Sequence, residues 1–241
     1  CALPILKEYR EMRKSDNSYW ISISDLMSGL MIIFMFIAIS FMVKVNEKNE
    51  ILENIAKNYA KIKVELYNEL QKEFKDDLIK WNANIEKDTL SIKFNEPDIF
   101  FKKGEYELTS EFQAILIDFF PRYIKILSSE KYKGLVEEVR IEGHTSSEWT
   151  KDTNKLDTYF ENMKLSQQRT ASVLQYVMSL PSLVNSQDFL IDKVTANGLS
   201  YSKRIIENGV EDKKKSRRVE FKVRTIAEKY IADILSESEE N

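Results

Sequence analysis

The chain has 241 residues, 31% of them charged, and its 36 lysines and arginines nearly balance its 39 aspartates and glutamates for a formal net charge of -3. That balance sets up no global field to attract nucleic acid or a strongly acidic partner. One cysteine, Cys1, excludes an intramolecular disulfide and a cysteine-based metal site, and one histidine, His144, excludes a multi-histidine metal site. The length allows one sizeable domain plus accessory segments. Cys rather than Met at position 1 reads as a trimmed or processed start, and lipidation of Cys1 is disfavoured because a strongly apolar segment follows closely.

Residues 1–19 read as a short polar tail. From Trp20 to Val43 the sequence WISISDLMSGLMIIFMFIAISFMV carries a single charge, Asp25. A bilayer core about 30 Å thick needs about 20 apolar residues in a helix, and this run supplies them. It is too long for a signal-peptide core, and the KVNEKNE that follows offers no small-residue cleavage site. We therefore expect a transmembrane helix over 20–43, anchored at one interface by Tyr19 and Trp20. Lys7, Arg10, Arg13 and Lys14 precede the span and Lys44 and Lys48 follow it, which leans towards a cytoplasmic amino terminus.

Asp25 has two readings. It can cap the first turn of the spanning helix, with Ser24 or Asp25 accepting free backbone N–H groups. Alternatively it is an ionisable group retained in lipid, at a cost of about 2.5–3.5 kcal/mol at mid-bilayer, to carry a travelling ion. A dry setting favours the neutral form of a carboxyl group, which lets such groups load and release protons near ordinary pH. Periodicity does not choose between the two.

Over 44–87 apolar residues recur at three- and four-residue spacing: Leu52, Ile55, Tyr59, Ile62, Leu66, Leu70, Phe74, Leu78 and Trp81. This is an amphipathic helix of heptad character that reaches roughly 55 Å from Lys44 to Trp81. It either packs on its own domain or forms a parallel coiled coil between two copies. Its position between a span and a globular domain favours the coiled coil and a homodimer, with two Asp25 residues side by side.

From Thr89 the pattern changes. TLSIKF alternates as a strand, and Thr109 or Ser110 can cap a helix through FQAILIDFFPRYIKILSS that Pro121 kinks or breaks. LVEEVRIEGHT reads as a second strand with Val136, Val139 and Ile141 on one face. LSQQRTASVLQYVMSL reads as a second helix with Leu165, Ala171, Val173, Leu174 and Val177 on its apolar side. IDKVTANGLS gives a short third strand and RRVEFKVRT a fourth, with Val219, Phe221 and Val223 alternating. The order β-α-β-α-β-β over 88–226 predicts an α+β sandwich with helices on one face of a sheet, followed by a tail at 227–241. No nucleophile–base pairing, phosphate-binding glycine loop or metal cluster stands out, so an enzyme is not expected. The KKKSRR run at 213–218 reads as a solvated loop rather than a nucleic-acid site, with scope for contact with an anionic wall polymer.

The segments IKFNEPDIFFKKGEYELT, IEGHT, NMKLSQQRTASVLQYVMS, ANGLS and SRRVEFKV occur in an order and spacing that resemble the OmpA-like domain along its length. WISISDLMSGLMIIFMFI resembles the start of MotB-type stator subunits, and WISISDLM with GHTSSEW and a short amino-terminal tail is most similar to the B subunit of Zorya anti-phage defence systems. The resemblance implies an ion-binding role for Asp25, which matches the family's proton- or sodium-binding carboxylate. It also implies a site for the diaminopimelate of peptidoglycan, centred on Arg169 in the motif formed with Asn162, Leu165 and Ser166. A guanidinium suits a carboxylate, meeting it in two parallel charge-assisted bonds. Thr145, Ser146, Arg217 and Arg218 complete the expected wall-binding set, with one of the two adjacent arginines facing ligand and Asn162 capping the helix.

One half of that site departs from the pattern. Where the family carries Gly-His-Thr-Asp, this chain has Gly143, His144, Thr145 and Ser146, so the counter-charge for a ligand amine is missing from the loop unless Glu148 supplies it. His144 is expected to be structural. The segment Ser147–Glu161 is longer than usual and a candidate cover for the site. The implied protein is a single-pass inner-membrane stator subunit, amino terminus cytoplasmic and distal domain periplasmic. It would pair with a polytopic MotA- or ZorA-like subunit, bind peptidoglycan, pass H+ or Na+ without a cofactor and signal to cytoplasmic effectors. The alternatives are a flagellar or gliding stator, a passive membrane-to-wall tether and a Tol–Pal or secretion scaffold.

Overall fold

The computed structural model describes residues 3–95, 97–102, 104–149 and 154–226, with side chains described from residue 19 on except at positions 59, 97 and 98. The expected tail at 227–241 and the side chains of the amino-terminal tail lie outside the described residues. The chain divides into two units, residues 1–55 and 56–241.

Helix α1 spans Leu3–Lys80. In the first unit its most apolar stretch has a mean hydropathy of 2.5 with none of it buried within the chain, and among the described residues it is the one helix long and apolar enough to cross a membrane. A helix apolar on every side needs lipid or another protein around it. Asp25 is exposed here and lies well inside the helix, not at its start. Ser24 Oγ and Ser28 Oγ donate to the carbonyls of Trp20 (2.9 Å) and Ser24 (2.8 Å) four residues back along the helix.

In the second unit the end of α1 is part of the domain. Leu66, Leu70, Phe74, Leu78 and Trp81 are all buried in the core, which corrects the expectation of a coiled-coil connector reaching residue 87. The stripe has the spacing a coiled coil needs, but about four turns of it cover the domain's own aromatic core. Leu52, Ile55 and Ile62 remain partly exposed, and the Tyr59 side chain lies outside the described residues. The helix stops where Asn82 turns left-handed (φ 45), a conformation asparagine tolerates at a helix end.

The domain therefore begins before residue 88. Strand β1 (Ala83–Glu86), unforeseen because a four-residue alternation of Ala83 and Ile85 is too short to stand out from the helix before it, pairs antiparallel with β2 (Ser91–Phe94). After a short helix α2 (Pro97–Phe100), helix α3 (Ser110–Leu127) is capped by Thr109, whose Oγ1 accepts from the Phe112 N–H at 3.2 Å. Pro121 sits inside α3 without breaking it. An interior proline costs about 3 kcal/mol, but Phe119, Phe120, Tyr123 and Ile124 around it are fully buried and hold the helix. Strand β3 (Val136–His144) leads by way of the loop to α4 (Lys155–Met178), then a 3-10 turn (Pro181–Ser186), α5 (Gln187–Lys193) and β4 (Val194–Gly198). A two-stranded hairpin, β5 (Ile206–Glu207) and β6 (Val210–Glu211), and a short α6 (Lys213–Ser216) precede β7 (Arg218–Thr225).

The sheet order is β1-β2-β7-β3-β4, with β4 parallel to β3 and the other pairs antiparallel. The fold is thus the expected α+β arrangement, extended by β1, α5 and the hairpin. Phe119 of α3 anchors the helices to the sheet through rings at 5.0 Å from Phe221, 5.2 Å from Phe94 and 5.3 Å from Phe74.

Arg122 fastens α1 to α3. Its Nε meets Glu73 Oε1 at 2.8 Å, its Nη1 meets Asp77 at 2.9 Å and Asp118 at 3.2 Å, and its Nη2 donates to the Glu73 carbonyl at 2.8 Å. The hydrogen bonds from Lys80 and then Arg122 hold the Asp77 carboxyl below its usual range. A depressed carboxyl stabilises the fold above its unfolded value, near pH 4, and that contribution is lost as pH falls through the folded value. Thermal melts from pH 6 down to about pH 3 should therefore show Asp77→Asn less stable than wild type near neutrality, the gap closing as the medium acidifies. A gap of constant size would assign the effect to packing.

Candidate functional site

The site forms where α4 crosses the ends of β3 and β4. Gly143 and Gly198 lie directly opposite each other in the parallel pair. A Cβ on Gly143 would stand 2.7 Å from Thr170 Cγ2, and one on Gly198 would stand 2.3 Å from the Gln167 nitrogen, so both must lack one. This close approach explains the helix face. The buried residues of α4 are Asn162, Ser166, Thr170, Val173 and Val177, so Val173 and Val177 of the expected stripe face the core, whereas Leu165 and Leu174 are half-buried and Ala171 is exposed. The small polar side chains bond back to their own helix: Ser166 Oγ to the Met163 carbonyl (2.9 Å) and Thr170 Oγ1 to the Ser166 carbonyl (3.1 Å). Ser166 Oγ also accepts the Ser200 N–H at 3.0 Å, tying α4 to the loop after β4.

Helix α4 starts ten residues before the expected LSQQR, because Asn154 accepts from the N–H groups of Leu156 (3.0 Å) and Asp157 (2.9 Å). Lys155–Glu161, expected as part of a long covering loop, is its first turns. Asn162 is interior to the helix instead of capping it. Its Nδ2 donates to the Thr158 carbonyl (3.1 Å) and the Glu148 carbonyl (3.4 Å), holding the loop from inside.

Phe101, Gly143, His144, Ser166, Arg169, Arg218 and Val219 line a small cavity of about 10 Å³, room for about one water. Arg169 lies on its rim with its guanidinium 4.8 Å from the centre of the Phe101 ring, donating from Nε to the Glu105 carbonyl (2.9 Å) and from Nη2 to the Lys102 carbonyl (3.4 Å). Arg218 is buried. Its Nε meets Glu220 Oε1 at 2.5 Å, and its Nη1 reaches the carbonyls of Lys203 (3.2 Å) and Ser216 (3.1 Å). Arg217 faces away from the cavity lining and reaches Glu148 at 3.5 Å.

The loop after β3 is occupied. The Thr145 N–H donates to the Ser200 carbonyl at 2.9 Å, and Thr145 and Ser146 are 4% and 3% exposed, so neither side chain stands out towards solvent. Glu148, the candidate counter-charge, is paired with Lys213 Nζ at 2.7 Å as well as with Arg217. Glu211 of β6, which sequence reasoning missed, takes the Ser147 N–H at 3.0 Å and its hydroxyl, and so clamps the loop to the hairpin. Of the predicted set, Arg169, Arg218 and the motif's Ser166 meet at the cavity. Asn162, Thr145 and Ser146 are buried but, like Leu165 and Arg217, are not among its lining residues.

His144 is almost fully buried, with its Nε2 3.7 Å from Glu142 Oε2 and 3.7 Å from Glu220 Oε1. Burial lowers its pKa below the ordinary histidine value, so the ring is neutral at pH 7.

No protein-family profile matches the chain. Solved structures that resemble it in part are a MotB-like protein from Desulfovibrio vulgaris and the cell-wall anchor of the type VI secretion system from Pseudomonas aeruginosa. The first is 19% identical over 70% of this chain and 98% of that one (TM-score 0.48), the second 21% over 65% and 96% (TM-score 0.44), and at that level neither carries functional weight. Sequence relatives are nearer. A protein named Zorya protein ZorB from a second Escherichia coli strain is 25% identical over 89% of this chain and 83% of its own length. The Zorya protein ZorB of the Escherichia coli Crooks strain is 45% identical over 93% of this chain and 95% of its own. Agreement of that degree, spanning the apolar helix and the sandwich together, makes this chain a member of the ZorB family.

Proposed function

We propose that the chain is the wall-anchored, membrane-spanning subunit of an ion-driven stator that serves Zorya-type anti-phage defence. One observation carries the reading: Asp25 is the single ionisable side chain between Trp20 and Val43 and it lies inside a helix that began at Leu3. Every N–H of its turn has a helical partner to find, so the capping role loses its physical basis. A carboxyl group kept inside the apolar run, five residues from its start, needs another reason, and ion binding supplies one. Ser28 and Gly29, within a turn of Asp25, allow a second helix to approach closely.

In this reading the amino terminus is cytoplasmic and the α+β domain periplasmic. Two copies meet through α1, along Leu52, Ile55 and Ile62 and the span, inside a ring of a polytopic MotA- or ZorA-like subunit. Protons or sodium ions load Asp25 from one side and leave on the other, and the change of charge alters helix contacts and turns the partner ring. The periplasmic domain holds peptidoglycan through Arg169, with Arg218, Asn162, Leu165, Thr145, Ser146 and Arg217 shaping or flanking the site, and so supplies the reaction force. A signal to cytoplasmic effectors would complete the defence role.

The test is co-expression with the neighbouring polytopic gene product, followed by vesicle reconstitution with dyes for protons and sodium and by sedimentation with purified sacculi. A stator gives a stable complex, a flux of one ion and co-sedimentation. Co-sedimentation without flux under activating conditions would leave a passive tether.

A further inference from the structure

On the sheet face turned away from α3 and α4, β3 and β7 place four polar residues in two facing pairs: Glu142 opposite Glu220 and His144 opposite Arg218. Two carboxylates directly opposite each other on neighbouring strands repel. Both are nonetheless buried, at 8% and 5% exposure, with His144 at 5% beside them. Neither ring nitrogen of His144 has a hydrogen-bond partner among the described residues, and a buried polar atom left so is costly.

We propose that Glu142, His144 and Glu220 bind one divalent transition-metal ion, with zinc the ion their chemistry suits best. Each offers one ligand atom, and the three atoms lie within 4.8 Å of one another, with the imidazole nitrogen 3.7 Å from each carboxylate. Zinc bonds of about 2.0–2.2 Å in tetrahedral array set ligand atoms about 3.4 Å apart, so small side-chain torsions close the site. One nitrogen and two carboxylate oxygens form a three-ligand set with a fourth position for water. Arg218 (2.5 Å) and Lys93 (3.9 Å) also touch Glu220 Oε1. The Glu220 oxygen nearest the imidazole is therefore the one Arg218 holds, so ligation requires Glu220 to turn its second oxygen to the ion. The charge of Arg218 and Lys93, and of Lys222 and Arg140 near Glu142, opposes a cation, while ligating carboxylates normally accept such outer hydrogen bonds. The ion would pin the end of β3 to the start of β7, the two strands whose ends line the Arg169 cavity. The proposal stands whether or not that cavity binds peptidoglycan.

Full-length protein in detergent is stripped with chelator, loaded with zinc, desalted and analysed for metal. His144 is the only histidine in the chain, so protein carrying 15N-histidine has one imidazole, whose ring-nitrogen shifts report ligation directly. The expected result is about one equivalent of retained zinc, a displaced shift at one ring nitrogen, and at least tenfold weaker binding in Glu142→Gln, on the order of the loss seen for metal-site neighbours. Zinc below a tenth of an equivalent, zinc retained with unmoved imidazole shifts (binding at Cys1 or elsewhere), or a folded Glu142→Gln that binds as well as wild type would each overturn it. Should the variant fail to fold, the wild-type shifts alone decide.

Discussion

Asp25→Asn is expected to abolish ion flux through the reconstituted complex while leaving the complex assembled. Asparagine keeps the size and much of the polarity of aspartate but takes up no proton and carries no charge for sodium. It also lowers the cost of placing the residue in lipid, so the variant should insert and co-purify with its polytopic partner as well as wild type does. Flux equal to that of protein-free vesicles, with an unchanged elution profile, is the predicted pair of results. Flux that survives would remove Asp25 from the ion path. Loss of assembly together with flux would show that the carboxyl group holds the helices together, and Asp25→Glu would then separate charge from shape, since it restores the charge at a longer reach.

The parts of this chain that were legible in the sequence are those where one physical signal dominates. Strands β2, β3 and β7 alternate apolar and polar residues because one face of the sheet meets the helices and the other does not, and the alternation fixes their register. Thr109 was legible as a cap because few side chains bond a free N–H so readily. Periodicity states that a face is apolar but not what covers it, which is why the stripe from Leu66 to Trp81 served equally for a coiled coil and for the domain core. Helix α4 defeated the apolar pattern for another reason. Gly143 and Gly198 bring the sheet so close that serine and threonine, not leucine, face it. At the site, Arg169 came from a motif, whereas Phe101 and Glu211 reach it from distant segments through contacts that no local spacing records. The buried trio on β3 and β7 did leave a trace, the alternating acidic and basic residues of EGH and RRVE, visible once the two strands are known to be neighbours.

Arg169→Ala is expected to weaken co-sedimentation with sacculi roughly ten- to a hundredfold, from the loss of a charge-assisted bond worth about 1.5–3 kcal/mol. The geometry makes this a test of two roles. The guanidinium is stacked on Phe101 and donates to the Lys102 and Glu105 carbonyls, so it also braces the segment around Gly104, where φ is +78. A brace alone predicts a lower melting temperature with sacculus retention unchanged. A ligand grip predicts lost retention, and Arg169→Lys should not restore it, because an ammonium cannot make two parallel bonds to a carboxylate or stack its plane on the ring. Adding a free ligand with a carboxylate and an amine should then displace wild type from sacculi. The amine should matter less than the carboxylate, because Ser146 is buried and Glu148 is held by Lys213 and Arg217. A requirement for the amine as strict as that for the carboxylate would mean that Glu148 leaves Lys213 and Arg217 when ligand arrives, and Lys213→Ala should in that case tighten binding.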